Sequence, residues 1–240
     1  MNLASAFFFV SGPAAAVIVI GGILAIIVGL IYWVVRSSKR EHQANEAWAQ
    51  EMGFQFERNA WPLGNTQGEQ LELIRTAHAA DSYRFENIFR GRYRTREITL
   101  FDVDYVCGQD QDGNDIHYTK SVAAFPLPGH DLPVFQIHPQ HIFHKLKNKV
   151  VNSDISFEGP PEFSRQYFVR GTDTDAVRRF LSASFLNFLA GLNGTHYTIE
   201  GGNDWILIHC SKISAKGRRE WLDRMMGVLE AMDSAVSASA

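Results

Sequence analysis

A single uncharged stretch, Ala14–Val35 ("AAAVIVIGGILAIIVGLIYWVV"), limits the folds open to this chain more than any other feature. Its twenty-two residues would span about 33 Å as an α-helix, against a bilayer hydrocarbon core of about 30 Å. Thirteen of them are Leu, Ile or Val, and each favours insertion at mid-helix by about 0.3 to 0.6 kcal/mol, so a membrane crossing is favoured by several kcal/mol. A cleaved signal peptide would carry a basic leading segment and an apolar run of about 7–15 residues. Here Met1–Pro13 contains neither Lys nor Arg, the run is longer, and it ends near Tyr32 and Trp33, side chains suited to an interfacial aromatic belt. The expectation is a permanent anchor.

Orientation follows from the flank. Arg36, Lys39 and Arg40 follow the run, so the positive-inside rule predicts a cytoplasmic C-terminal part. The predicted location is the bacterial inner membrane, crossed once. Residues 1–13 read as a short extracytoplasmic N-terminus, 14–35 as the transmembrane helix and 36–52 as a basic juxtamembrane segment and helix. A cytoplasmic domain over 53–232 and a flexible tail over 233–240 complete the chain. Within the span Gly21, Ala25 and Gly29 recur every four residues, a small-residue face that would let a second copy approach closely.

The cytoplasmic placement agrees with the rest of the composition. Two cysteines, Cys107 and Cys210, fit a reducing compartment and read as small buried residues of strands. A net charge of −3 and a pI near 6.3 argue against a nucleic-acid partner, which would call for a strongly basic domain.

After the anchor, "EHQANEAWAQEMGF" spaces Ala44, Trp48 and Met52 four apart and predicts a helix stopped by Gly53. "FQFER" reads as a short strand, "NAWPLGNTQG" as loop and "EQLELIRTAHAA" as a short helix. Four segments rich in β-branched and aromatic residues follow, "RFENIFRGRY", "REITLFDVDYVC", "DIHYTKSVAAF" and "LPVFQIH", and predict neighbouring antiparallel strands. In "FDVDYVC" the aspartates Asp102 and Asp104 alternate with apolar residues, which predicts a solvated sheet face there.

Downstream, "PPEFS" reads as a proline-marked loop leading to a strand near Gln166–Arg170. A helix capped by Asp173 or Thr174 is expected next, with Val177, Phe180, Leu181, Phe185, Phe188, Leu189 and Leu192 on one face. Strands "THYTIEGG" and "DWILIHC" and an amphipathic helix "RREWLDRMMGVLEAM" close the domain. Strands in runs with segregated helices predict an α+β fold.

At this level of detail the chain resembles a group of bacterial membrane-anchored proteins defined only by a domain of unknown function. The resemblance is carried by the anchor followed by "AWAQEMGFQF", by "FRGRYRTREITLFDVDY", and by "PPEFSRQYFVRGTDTDAVRRFLSASFLNFL" with "YTIEGGNDWILI". It implies a cytoplasmic α+β domain on a membrane tether and brings no catalytic residue with it.

Candidate sites are few. "CGQDQDGNDIH" resembles a calcium loop, but counting from Asp110 puts Asp115 where glycine is required and Ser121 where a bidentate glutamate is required. Asp112-Gly113 between alternating strands is instead a hairpin signal. "HPQHIFH" spaces His138, His141 and His144 three apart and could supply three imidazoles to zinc or nickel, although no carboxylate stands near in sequence to orient them. Arg90, Arg92, Arg94 and Arg96 alternate along "RGRYRTR". On one continuous strand they would form a basic stripe facing phospholipid headgroups, whereas a turn at Tyr93–Thr95 would scatter them. Tyr32, Trp33, Arg36, Lys39 and Arg40 form the expected membrane interface.

The sequence contains no nucleophile elbow, phosphate loop, dinucleotide fingerprint or C-x-x-C motif, and no cofactor is implied. The function expected is therefore a non-enzymatic binding or scaffold module at the cytoplasmic membrane face, in contact with the lipid bilayer and with a protein partner or a second copy. The alternative is a membrane-tethered, metal-dependent hydrolase built on the His138, His141 and His144 cluster.

Overall fold

A computed structural model describes residues 13–63, 71–129, 131–140, 155–157, 160–192 and 197–237, with backbone only for 13–18 and 234–237. The chain divides into two compact units, Met1–Ala47 and Trp48–Ala240. Helix α1 runs unbroken over Pro13–Met52, and Gly53, at φ 69°, ends it in a conformation that L side chains resist. Its large apolar residues from Val19 to Val35 are all exposed, from 45% for Ile27 to 67% for Trp33. The helix is long and apolar enough to cross a membrane.

The second unit is built on one antiparallel sheet, and the α+β class expected from the sequence is what forms. Its strands are β1 (Gln55–Glu57), β2 (Ser82–Tyr93), β3 (Arg96–Gln109), β4 (Asp115–Pro126), β5 (Leu132–Pro139), β6 (Tyr167–Gly171), β7 (Thr198–Asn203) and β8 (Trp205–Ser211). They pair in the order β1-β2-β3-β4-β8-β7-β5-β6, every neighbouring pair antiparallel. The last hairpin, β7–β8, therefore inserts beside β4, between the β1–β4 meander and the β5–β6 pair.

Register explains which residues are buried. Between Glu86 and Phe89 strand β2 advances one residue more than β3, with Asn87 at φ 52° as the bulged residue. The shift sends Phe85 into a core with Phe101, Val103, Val122 and Leu207, and Phe89 into the opposite core with Leu100, Ala123, Phe125 and Ile208. Both faces of the central strands are thus covered, and Val122–Phe125 and Ile206–Ile208 are fully buried.

Short helix α2 (Glu72–His78) packs Leu73, Ile74 and Ala77 into the first core. The second core receives α3 (Pro161–Gln166), α4 (Thr174–Phe180), α5 (Ala183–Gly191) and α6 (Arg218–Ser237). Two glycines permit close packing there: a Cβ on Gly201 would stand 2.1 Å from the Phe135 ring, and one on Gly91 2.3 Å from the Phe54 ring.

Four expectations are corrected. The proline-marked loop is a helix, α3, with proline at its first turn, where no backbone N–H is needed. The single helix expected after Asp173 is two. Asp173 caps α4 by accepting from Asp175 N and Ala176 N at 3.0 and 2.9 Å, and Leu181 then leaves the helical region at ψ 89°. Ser182 restarts the chain as α5, its hydroxyl accepting from Phe185 N. The final helix continues into the expected tail, to Ser237. The sheet face predicted to be solvated at Asp102 is buried, because the second core's helices cover it (Asp102 is 4% exposed).

Candidate functional site

On α1, Tyr32, Trp33, Arg36, Lys39 and Arg40 are all exposed. Arg36 Nη1 donates to the Tyr32 hydroxyl at 2.9 Å, and its guanidinium lies 5.9 Å from the ring centroid. Gly21, Ala25 and Gly29 lie on the exposed part of the same helix, and a Cβ on either glycine would meet nothing within 4 Å.

The four alternating arginines do not lie on one strand. Arg90 and Arg92 are in β2, Arg94 sits at φ 54° in the turn, and Arg96 begins β3. Each meets carboxylate. Arg90 pairs with Glu57 and also donates to the Trp61 carbonyl. Arg92 lies 3.7 Å from Glu97 across the hairpin, and Arg94 bonds Glu230 at 2.8 Å and Asp223 at 3.3 Å. Arg96 pairs with Asp233, and Tyr93 donates its phenol proton to Asp223 at 2.7 Å. The hairpin end is thereby laced to α6 by ion pairs whose partners come from far along the chain.

Two buried polar clusters escaped the sequence reading. In the first, Asp102 accepts from Asn87 Nδ2 at 2.9 Å and from the Ser121 hydroxyl at 2.6 Å, while Ser121 Oγ accepts from Ile213 N at 2.9 Å. This braces the β2 bulge, β3, β4 and the turn after β8, and the cleft it shares with Arg218 and Trp221 has no room for a water molecule. A buried carboxylate that accepts a hydrogen bond at each oxygen ties these elements together as a brace.

The second cluster centres on Glu200 in β7, 2% exposed. One carboxylate oxygen faces His209 Nε2 at 3.0 Å and the other accepts from Leu73 N at 3.0 Å, in the first turn of α2. Burial alone would push this carboxyl up, but the hydrogen bonds from His209 and Leu73 outweigh it and hold it below the usual range. Nearby in β5, His138 Nε2 is hydrogen-bonded with Gln136 at 2.9 Å and its ring stacks on Phe168. Burial pushes the His138 imidazole down to about 4, so it is neutral at physiological pH. His141 and His144 lie outside the described residues. Among the described residues no three His, Cys, Asp or Glu side chains converge as a metal site.

Other reactive groups are similarly occupied. Burial pushes the Cys210 thiol up to about 11, away from the thiolate a nucleophile requires. At the β3–β4 hairpin tip Asp110 Oδ1 accepts from Asp112 N at 2.9 Å and Asn114 N at 2.8 Å, and Asn114 Nδ2 reaches Oδ2 at 3.1 Å. These bonds, led by the Asn114 backbone, hold the Asp110 carboxyl below its ordinary value. The carboxylate most like a calcium ligand is closing its own turn.

A signal for Glu200 was present but ambiguous: a carboxylate inside the apolar strand "YTIEGG" reads as a solvent-facing residue unless α2 is known to lie over it. Asp102 was hidden in the same way by alternation.

No protein-family model matches this chain, and no curated protein matches it. Among solved structures, the crystal structure of the mycobacterial trehalose monomycolate transport factor A, TtfA, is similar to it with a TM-score of 0.53. The likeness covers 81% of this chain and 93% of that one, at 14% sequence identity. At that identity the two share a fold, an antiparallel sheet with its helices, and the likeness transfers no residue's role.

Proposed function

We propose that this chain is a single-pass inner-membrane protein with its sheet domain on the cytoplasmic side, acting as a non-enzymatic binding module. The observation that carries the reading is the uncharged, exposed apolar surface of α1 from Val19 to Val35. In water so continuous an apolar surface would be a liability, whereas in hydrocarbon it is the solvated state and the helix satisfies its own backbone hydrogen bonds. The basic residues Arg36, Lys39 and Arg40 support the cytoplasmic side for the second unit.

A binding rather than catalytic role is supported by how the polar groups are used. Asp102, Glu200 and His138 are engaged inside the sheet domain, and the Cys210 thiol is held protonated. The fold shared with a trehalose monomycolate transport factor suggests a partner class for this chain too: a component of a transport system at the membrane. No observation among the described residues favours the hydrolase alternative.

The test is affinity capture of the full chain from detergent-solubilised membranes, together with protease treatment of intact spheroplasts. The proposal expects a membrane transport component to be recovered and the sheet domain to be protected until the membrane is opened. Digestion of the sheet domain from outside, or capture that returns no membrane protein under gentle solubilisation, would overturn it.

A further inference from the structure

We infer that Arg36, Lys39 and Arg40 form a binding face for the headgroups of anionic phospholipids, and that the arginines of the β2–β3 hairpin do not. The inference rests on the membrane reading above and goes beyond it by naming the lipid class and the residues that select it.

Three observations point the same way. First, at 100° per residue positions 36, 39 and 40 fall within roughly a third of the helix circumference and about 6 Å of its length, so the three charges share one face. They begin at the residue that ends the exposed apolar run, the level at which headgroups would lie.

Second, Tyr32 lies one turn earlier on that face and its hydroxyl accepts from Arg36 Nη1 at 2.9 Å. The bond holds the Arg36 guanidinium back along the helix, toward the phosphate level, and leaves its remaining N–H groups to donate. A planar guanidinium is suited to a phosphate diester, and flanking charges raise the local preference for anions.

Third, the contrast within the molecule is sharp. No carboxylate partners Arg36, Lys39 or Arg40 among the described residues, whereas Arg90, Arg92, Arg94 and Arg96 all face carboxylates of the sheet domain. A cation already paired loses that pairing when it turns to lipid. The juxtamembrane cations have no such carboxylate pairing to give up among the described residues.

The experiment uses the full chain in nanodiscs of phosphatidylcholine and phosphatidylglycerol at equal amounts, with the lipids that stay bound counted by native mass spectrometry. Each cation near an anionic surface contributes about a fivefold preference, equivalent to about 1 kcal/mol. The wild type is expected to retain phosphatidylglycerol over phosphatidylcholine by at least about fivefold, with the preference weakening as salt rises. Arg36→Gln, Lys39→Gln and Arg40→Gln together should bring the ratio close to one. The charge-conserving set Arg36→Lys, Lys39→Arg, Arg40→Lys should restore most of it, and Arg92→Gln should change nothing.

A ratio near one in the wild type, or a preference that survives the triple neutralisation or falls with Arg92→Gln, overturns the inference. So does inorganic phosphate abolishing the preference where chloride of equal ionic strength does not, since that would mark a site for free phosphate. Failure of the chain to enter pure phosphatidylcholine discs would instead defeat the membrane reading on which the inference rests.

Discussion

Val19–Val35 and the paired strand segments Val122–Phe125 and Ile206–Ile208 draw on much the same apolar side chains and treat them oppositely. In the strands every one of these residues is completely buried, while in the helix none is less than 45% exposed among its large apolar members. Backbone chemistry accounts for the difference. A strand leaves its N–H and C=O groups to neighbours, so its apolar residues can be buried only within a sheet that also pairs the backbone. A helix closes its hydrogen bonds internally and can present apolar residues all round, provided that the surrounding solvent is itself apolar. The same composition thus builds a core in one region and an exposed apolar rod, suited to lipid, in the other.

Truncation and charge should separate the two regions. Phe125→Ala, in the filled core, should lower the unfolding free energy of the sheet domain by about 3–5 kcal/mol, read as a shift of the urea midpoint of the full chain in detergent. Ile27→Ala, which removes apolar atoms from an exposed helix position, should leave that midpoint within about 0.5 kcal/mol of wild type. Equal losses in both would erase the distinction. Ile27→Arg works the other way: it should oppose membrane insertion by about 3 kcal/mol and deplete the membrane-integrated fraction while the sheet domain unfolds as before.

The buried polar groups sharpen the comparison within the sheet domain itself. Glu200→Gln keeps the shape but removes the charge that binds His209 and the α2 N–H, and should cost about 1–3 kcal/mol in the same unfolding assay. An unchanged midpoint would mean that α2 is not held by this bond.

His138 makes a smaller, pH-dependent contribution. Its folded value of about 4 lies below the unfolded value of 6.5, so between those limits the unfolded chain binds more protons and stability falls as pH drops. Roughly 1 kcal/mol should be lost between about pH 6 and about pH 5, and His138→Phe, which can still stack on Phe168, should flatten that limb. The depressed Glu200 carboxyl acts in the same direction at lower pH, below the ordinary carboxylate range, because its proton also prefers the unfolded state. The least effect is expected from Arg92→Ala, whose exposed pair with Glu97 at 3.7 Å should be worth under about 0.5 kcal/mol by urea titration.

What the sequence made legible were features that depend on neighbours in the chain. The apolar run, the stop at Gly53, the Asp112-Gly113 hairpin and the alternating strands β2 to β5 all follow from local periodicity and turn chemistry. What it hid depends on distant partners. Insertion of β7 and β8 between β4 and β5 is decided by pairings such as Ala124 with Leu207 and Glu200 with Gln136, which no local pattern encodes.

The split between α4 and α5 was masked because Val177, Leu181 and Phe185 keep helical spacing across Ser182, whose capping hydroxyl wins locally. Asp102 and Glu200 looked like solvent-facing positions because alternation cannot tell water from a covering helix with matched donors. The arginine row showed the opposite limit: its spacing was plain, but its carboxylate partners Asp223, Glu230 and Asp233 lie far downstream.

The most direct test of the account is alkaline carbonate extraction of membranes from cells carrying the full chain, wild type beside Ile27→Arg. The account predicts that wild-type protein stays in the pellet and is released only by detergent, and that the arginine variant shifts toward the supernatant. Wild-type protein found free in the supernatant, or fractionating as soluble before any extraction, would contradict it.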